Sequence, residues 1–357
     1  MSNARQVAYT HLRWTADALK RPFYAYTLSG SDCLAVKIGK GILMGVGLAG
    51  SLIPRFLASV INPDDYCHTK GDAEAIDITS EINVLSYNIL GFHAGQAASE
   101  NRSFWEERFK QFCQVIEDAD ADVVCLQEVH CGSWLENKLI ERFKGKYSDF
   151  YGDIAPKTLM FGSGLFIMHR VKDTTLDVQR FKAKTGNDSR FVGKAFATLI
   201  GENFTVTTTH MQSGSATEDL TNREVRWNQA KEVIENVRHW DKQVHIFCGD
   251  FNEDRTDTAS YYTSWLNPAN NQVIDGFKTD EERKAITQAD LNKAESINTQ
   301  EAVDNIVAIL DQEKGQAHCT IAVCQKSTFK EPSDPSDHAA MFAKVAYIAS
   351  NGLDKHI

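Results

Sequence analysis

The stretch VHIFCGDFN, residues 244–252, constrains this chain more than any other. Val244, Ile246 and Phe247 make an apolar run of the kind that forms a buried strand. The run stops at Gly249, and Asp250 and Asn252 follow with one apolar residue between them. Residues two apart in an extended chain point the same way, so a carboxylate and a carboxamide leave one strand end on one side. A charge at the end of an apolar strand is costly unless it binds something. A plain turn is the simpler account, because Gly, Asp and Asn all favour turns. The motif alone does not choose between them.

The remaining strand ends do. Asn88, Glu128, His210, Asp304, Asp337 and His338 each sit in or beside an apolar run, as Asp250 and Asn252 do. One such residue is ordinarily a hydrogen-bonded core group. A whole set of residue types that bind metal or move protons argues for a shared polar pocket where strand ends converge on one rim. The set has no Cys/His cluster of the zinc kind, no GxSxG elbow and no Gly-rich GK[ST] loop. Its carboxylates and carboxamides suit a hard ion such as Mg²⁺, and its two histidines can handle protons near neutrality. That combination fits metal-assisted hydrolysis of a phosphoester.

At 357 residues, 42% hydrophobic and 24% charged, the chain has the make-up of a globular protein with a full core. Its 48 acidic and 38 basic residues give a formal charge of -10, which argues against indiscriminate coating of nucleic acid. None of the eight cysteines forms a CxxC pair, and Cys125, Cys248, Cys319 and Cys324 lie in apolar runs. They read as small buried hydrophobes of a reduced protein. The opening residues lack the layout of a secretory signal. Cytoplasm is the default expectation, and signal-less export or peripheral membrane association would leave the same sequence.

Residues 1–80 read as an N-terminal extension without assignable chemistry. It holds the uncharged apolar segment GILMGVGLAGSLIP, residues 41–54, and ends in a polar linker, DDYCHTKGDAEA. The apolar segment is shorter than the ~20 residues a spanning helix needs. Residues 81–350 read as one catalytic domain. EINVLSYNIL, DVVCLQEV, GSGLFIMHR, KAFATLIG, FTVTTTHMQSG, VHIFCGDFN, AVDNIVAIL, CTIAVCQK and AAMFAKVAYI are strand candidates. Phe109, Phe112 and Ile116 mark a helix with Ser103 as its N-cap, and further helices are expected in WLENKLIERFKGK and EDLTNREVRWNQAKEVIENVRHW. Strands and helices mix without strict alternation, which favours an α/β sandwich with mixed sheets over a parallel barrel.

NVLSYNIL, DVVCLQEV, TTTHMQSG, IFCGDFNED and the late SDH, in that order, resemble the signature of the endonuclease/exonuclease/phosphatase superfamily, from about residue 81 to 348. The resemblance implies the deoxyribonuclease-I-like fold, a four-layered α/β sandwich of two packed mixed sheets flanked by helices. It implies Asn88 and Glu128 at a Mg²⁺ or Mn²⁺ ion, with Asp337 near the metal or a second site. His210 and Asn252 would hold the scissile phosphate, and Asp250 would orient or deprotonate the attacking water. His338 would complete the acid–base machinery with the carboxylate of Asp304. The family usually carries Arg-Ile-Asp at that last position, whereas this chain has Ala302-Val303-Asp304.

Members of that superfamily act on nucleic acids, inositol phosphates and sphingomyelin. GSGLFIMHR, THMQSG followed by Arg226 and Gln229, and Gly193-Lys194 before a strand are similar to segments of neutral sphingomyelinases, although the Gly-Lys order is reversed. The expectation is a phospholipid substrate cleaved in the manner of a phospholipase C, with residues 41–54 as a peripheral membrane contact. A nuclease or DNA-repair phosphodiesterase is the alternative, for which Arg170, Lys172, Arg180, Lys182 and Lys184 are the best candidates for a basic groove. A non-catalytic binding module would not need Glu128, His210, Asp250, Asn252 and His338 together. No segment points to a protein partner.

Overall fold

The elements run β1 (Cys67–Lys70), β2 (Glu81–Asn88), α1 (Arg102–Ala119), β3 (Val123–Gln127), α2 (Ser133–Phe143), β4 (Asp149–Gly152), β5 (Phe166–His169), β6 (Thr175–Arg180), β7 (Ala195–Ile200), β8 (Phe204–His210), α3 (Leu220–Val237), β9 (Val244–Asp250), β10 (Asn271–Ile274), β11 (Asp304–Asp311), β12 (Gly315–Gln325) and β13 (Ala340–Ala349). The computed structural model describes residues 65–91, 102–129, 133–155, 162–184, 193–213, 220–237, 239–253, 271–274, 304–311, 315–325, 338 and 340–349, with single residues at 8, 11, 12, 15, 50, 53, 54 and 57. Asp337 and almost all of the 41–54 segment lie outside the described residues, and of Asp304 only the backbone is described. Among the described residues, no helix is long and apolar enough to cross a membrane.

Strands β2 and β3 are apolar on both faces, and this fixes the layering. Ile82, Val84, Val123 and Cys125 point into a core shared with Val206, Ile246, Cys248 and Ile306. Leu85, Tyr87, Val124 and Leu126, one residue out of phase, enter a second core. There they meet Phe112, Cys113 and Ile116 of α1 and Leu135, Leu139 and Phe143 of α2, apolar residues at helical spacing. A third cluster lies beneath α3, where Ala230, Val233, Ile234 and Val237 cover Phe196, Phe247 and Val307. The result is helices, sheet, sheet, helix: the four-layered α/β sandwich.

The first sheet has the order β1-β4-β5-β3-β2-β13-β12 and the second β10-β11-β9-β8-β7-β6. Each is built around one parallel pair, β2 with β3 and β8 with β9. The other neighbours are antiparallel, so C-terminal ends of the central strands share a rim with N-terminal ends of β11 and β13. Gln127, wholly buried, crosses between the sheets near that rim and donates to Ser86 Oγ (3.3 Å) and Thr208 Oγ1 (3.1 Å).

Two sequence expectations need correction. Part of the supposed linker, Cys67–Lys70, is an edge strand paired with β4, so the sheet extends N-terminal to Glu81. Its side chains are mostly exposed, which is why hydropathy alone hides it. Helix α1 begins at Arg102, leaving Ser103 inside the helix and not at its cap.

Candidate active site at the shared rim

The register brings the chemistry together. Asn88 ends β2 opposite Gln127, and Glu128 follows as the next residue of that neighbouring strand. His210 ends β8 opposite Asp250 at the end of β9, and Asp304 opens β11 on the other side of Asp250. His338 lies just before β13, which pairs with β2.

Asn88 is wholly buried, Asp250 is 1% exposed and Glu128 9%. The Asn88 carboxamide links the two sheets: its Nδ2 donates to Glu128 Oε1 (3.1 Å) and to Asp250 Oδ2 (3.0 Å). The same nitrogen lies 3.3 Å from His338 Nε2, while Asn88 Oδ1 accepts from the Leu90 amide at 3.1 Å. Asp250 divides its two oxygens. Oδ1 accepts the Asn252 amide (2.9 Å), and Oδ2 faces His210 Nε2 at 3.6 Å and His338 Nε2 at 3.9 Å. Asn252 Nδ2 donates to the Met211 carbonyl at 3.2 Å, where the nearly buried Lys194 ammonium also donates at 2.8 Å.

The backbone is shaped to achieve this. Glu128 has φ +59° and Asn252 φ +51°, left-handed values that are uncommon for non-glycine residues, least so for Asn, and are held here by the surrounding structure. Gly249 has φ +136°, and a Cβ there would fall 2.0 Å from the Thr209 carbonyl oxygen. Only glycine lets β9 run this close to β8 while turning Asp250 toward the rim.

The donor set fits a divalent cation. One ligand atom each from Glu128, His210 and Asp250 lie within 4.8 Å of one another. Oxygen ligands around Mg²⁺ at about 2.1 Å stand about 3 to 4.2 Å apart. Two sunken carboxylates held by one amide carry a Coulomb cost that a cation between them cancels. The resemblance implies Glu128 at the metal, His210 at the phosphate and Asp250 at the attacking water, and one ligand atom of each lies within 4.8 Å of the others.

Residues outside the expected site set support it. Met211 and Gln212 are anchors of the loop after β8: the Gln212 amide donates to Gln229 Oε1 (2.9 Å), and its carbonyl accepts from Arg226 (3.3 Å). Glu253 takes Arg223 Nε and Arg226 Nε, both at 2.8 Å. Its position directly after GDFN was the available signal. Burial pushes the Glu253 carboxyl up from its ordinary value, with the two guanidiniums pulling it back.

Residues 85–277 match the endonuclease/exonuclease/phosphatase family. The chain belongs to this family. Solved structures agree on the fold. Beta toxin from Staphylococcus aureus is similar at 18% identity and a TM-score of 0.52, covering 73% of this chain and 99% of the toxin. SmcL is similar at 18% identity and a TM-score of 0.52, covering 74% and 98%. An endonuclease/exonuclease/phosphatase from Beutenbergia cavernae is similar at 16% identity and a TM-score of 0.50, covering 75% and 72%. A substituted form of the S. aureus toxin, at 17% identity, a TM-score of 0.51 and coverage of 74% and 99%, contains bound magnesium ions. A search of curated protein sequences finds no match.

Proposed function

We propose that this family member is a divalent-metal-dependent phosphodiesterase that releases a phospholipid headgroup, in the manner of a sphingomyelinase or phospholipase C. The observation that carries the reading is the meeting of Glu128, His210 and Asp250 within 4.8 Å, with Asn88 and His338 beside them. The magnesium in the similar toxin structure favours Mg²⁺. Glu128 would hold the ion, with Asp250 and His210 in reach and the Asn88 carboxamide fixing both carboxylates. When bound, the ion neutralises charge that develops on a phosphoryl oxygen.

The chain's own groups divide the remaining work. Asn252, pinned at Met211 and Asp250, presents its amide to the scissile phosphate together with His210. Asp250 is fixed at both oxygens, Oδ1 by the Asn252 amide and Oδ2 by the Asn88 carboxamide, and the second lone pair of Oδ2 orients the attacking water and accepts its proton. His338, within 3.9 Å of that oxygen, serves as the proton donor to the leaving oxygen. Asp304 and Asp337 keep the supporting roles that the resemblance implies.

Three of the five basic-groove candidates are already paired with carboxylates, which favours lipid over nucleic acid. Of the candidate basic groove, Arg170 is engaged by Asp120 (3.0 Å) and Asp122 (2.9 Å), Lys172 by Asp77 (3.6 Å) and Arg180 by Asp65 (2.9 Å). Nucleic-acid affinity rests on cations left to neutralise phosphates. The test is a side-by-side assay on sphingomyelin vesicles and plasmid DNA with Mg²⁺, with EDTA and His338→Ala as controls. Phosphocholine release that both controls abolish, with intact plasmid, supports the reading. Nicked plasmid with untouched lipid transfers the same machinery to nucleic acid.

A further inference from the structure

One face of α3 grips both site loops. Arg223, Arg226 and Gln229 recur every third residue, so they lie along one side of the helix. Arg223 and Arg226 close on the two oxygens of Glu253, each at 2.8 Å. Side-chain exposures of 2% for Arg226 and 4% for Glu253 make this a buried pair. Glu253 is the residue after Asn252, whose left-handed backbone has to be held in place. On the other loop, Arg226 donates to the Gln212 carbonyl, and Gln229 accepts the Gln212 amide while donating to Ala183 O at 3.0 Å. Gln212 is two residues from His210, and the intervening Met211 accepts from Asn252 and donates to Asp250 O at 2.9 Å. The two loops are thus fixed to each other and to α3, through the Arg226–Glu253 ion pair, the Gln229 and Arg226 bonds to Gln212, and an apolar cluster that joins Met211 and Phe251 to Ala230 and Val233.

We propose that Arg226 and Glu253 are positioning residues. Their buried ion pair, with Gln229, sets the aim of His210 and Asn252 toward a bound phosphodiester. The proposal rests on the functional reading above for what those two residues bind. A pair that served stability alone could be exchanged for apolar groups at no cost to turnover. A positioning pair could not, because misplacement of about 1 Å at a reacting centre costs on the order of 100-fold.

Two variants separate these cases. Glu253→Gln keeps shape and removes charge. Arg226→Met combined with Glu253→Met replaces the whole pair, an exchange that is often neutral or stabilising, and Arg223 can turn its guanidinium to solvent. Amide hydrogen exchange is measured first. The expected result is exchange faster by about tenfold or more at Gln212 and Asn252, with Thr207 and Phe247 inside the strands unchanged. Turnover is then measured with saturating Mg²⁺ well below the melting temperature. A kcat lower by about 10- to 100-fold is expected, with KM changed less than kcat. Unchanged exchange at both amides, or accelerated exchange with full kcat, would overturn the proposal. Failure of the parent protein to hydrolyse any phosphodiester would instead overturn the functional reading, leaving the exchange rates to decide the clamp.

Discussion

His169 makes the fold acid-sensitive in a defined window. The ring, at the end of β5, is wholly buried and stacks on Tyr151 of the neighbouring β4, with centroids 5.7 Å apart. Its Nδ1 accepts the Val171 amide at 3.2 Å, and Thr174 Oγ1 lies 3.4 Å from Nε2. An imidazolium could not accept the first bond. Burial is the main cause that lowers the His169 pKa from 6.5 to about 4, and Asp149 opposes it. The unfolded chain therefore takes up this proton before the folded one does. The contribution to stability is whole above pH 6.5 and is lost as pH falls toward 4. At about 1.36 kcal/mol per pH unit the full loss is about 3 kcal/mol, with about 2.5 kcal/mol gone by pH 4.5. Asp149, whose carboxyl is lowered by contacts with Lys70, His68 and Ser148 against the larger upward push of burial, acts below the ordinary carboxylate range and outside this window. Urea unfolding of the parent and of His169→Gln between pH 7.5 and 4.5 isolates the effect. The parent should lose about 2.5 kcal/mol more than the variant. Parallel curves, within about 0.5 kcal/mol at every pH, would show that His169 is not held neutral by the fold.

Other outcomes follow from the site. Asp250→Asn should weaken stabilisation by added Mg²⁺, read as a smaller rise in melting temperature on titrating the ion than the parent shows; a rise equal to the parent's would contradict a place for Asp250 at the ion. Gly249→Ala should cost more than about 3 kcal/mol, since its Cβ has no room against Thr209. Chemical denaturation measures this, and a cost under about 1 kcal/mol would mean that β8 and β9 can separate there. His338→Ala should lower kcat by about 100-fold or more without altering calorimetric Mg²⁺ affinity; an equal loss in affinity would make His338 a ligand.

How much of this was legible depends on what kind of physics wrote it. The central strands announce themselves because they are buried on both sides: VVCLQ and VHIFCGD are nearly unbroken apolar runs. Their polar ends stand out for the same reason, so Asn88, Glu128, His210 and Asp250 could be named from the chain alone. The edge strands could not. In β1 and β6 most side chains are exposed or half-buried, and their strand character comes from partners distant in sequence. The order of strands was equally hidden, since β13 lies between β2 and β12 only through tertiary pairing. At the site, residue types revealed the chemistry but not its sharing. Nothing in the sequence says that the Asn88 amide bridges two carboxylates from different sheets. Arg226 and Gln229 carried a family resemblance, and Glu253 lay within the IFCGDFNED motif, yet nothing in the chain pairs it with Arg226.

The central claim is that a divalent ion sits where the two sheets meet. Crystals grown with Mn²⁺ and measured for its anomalous scattering test this directly. The account predicts a strong peak in contact with Glu128, shared with Asp250 or His210, and its loss in Glu128→Gln crystals. Manganese bound elsewhere on the protein, with the rim empty at the same concentration, would contradict it.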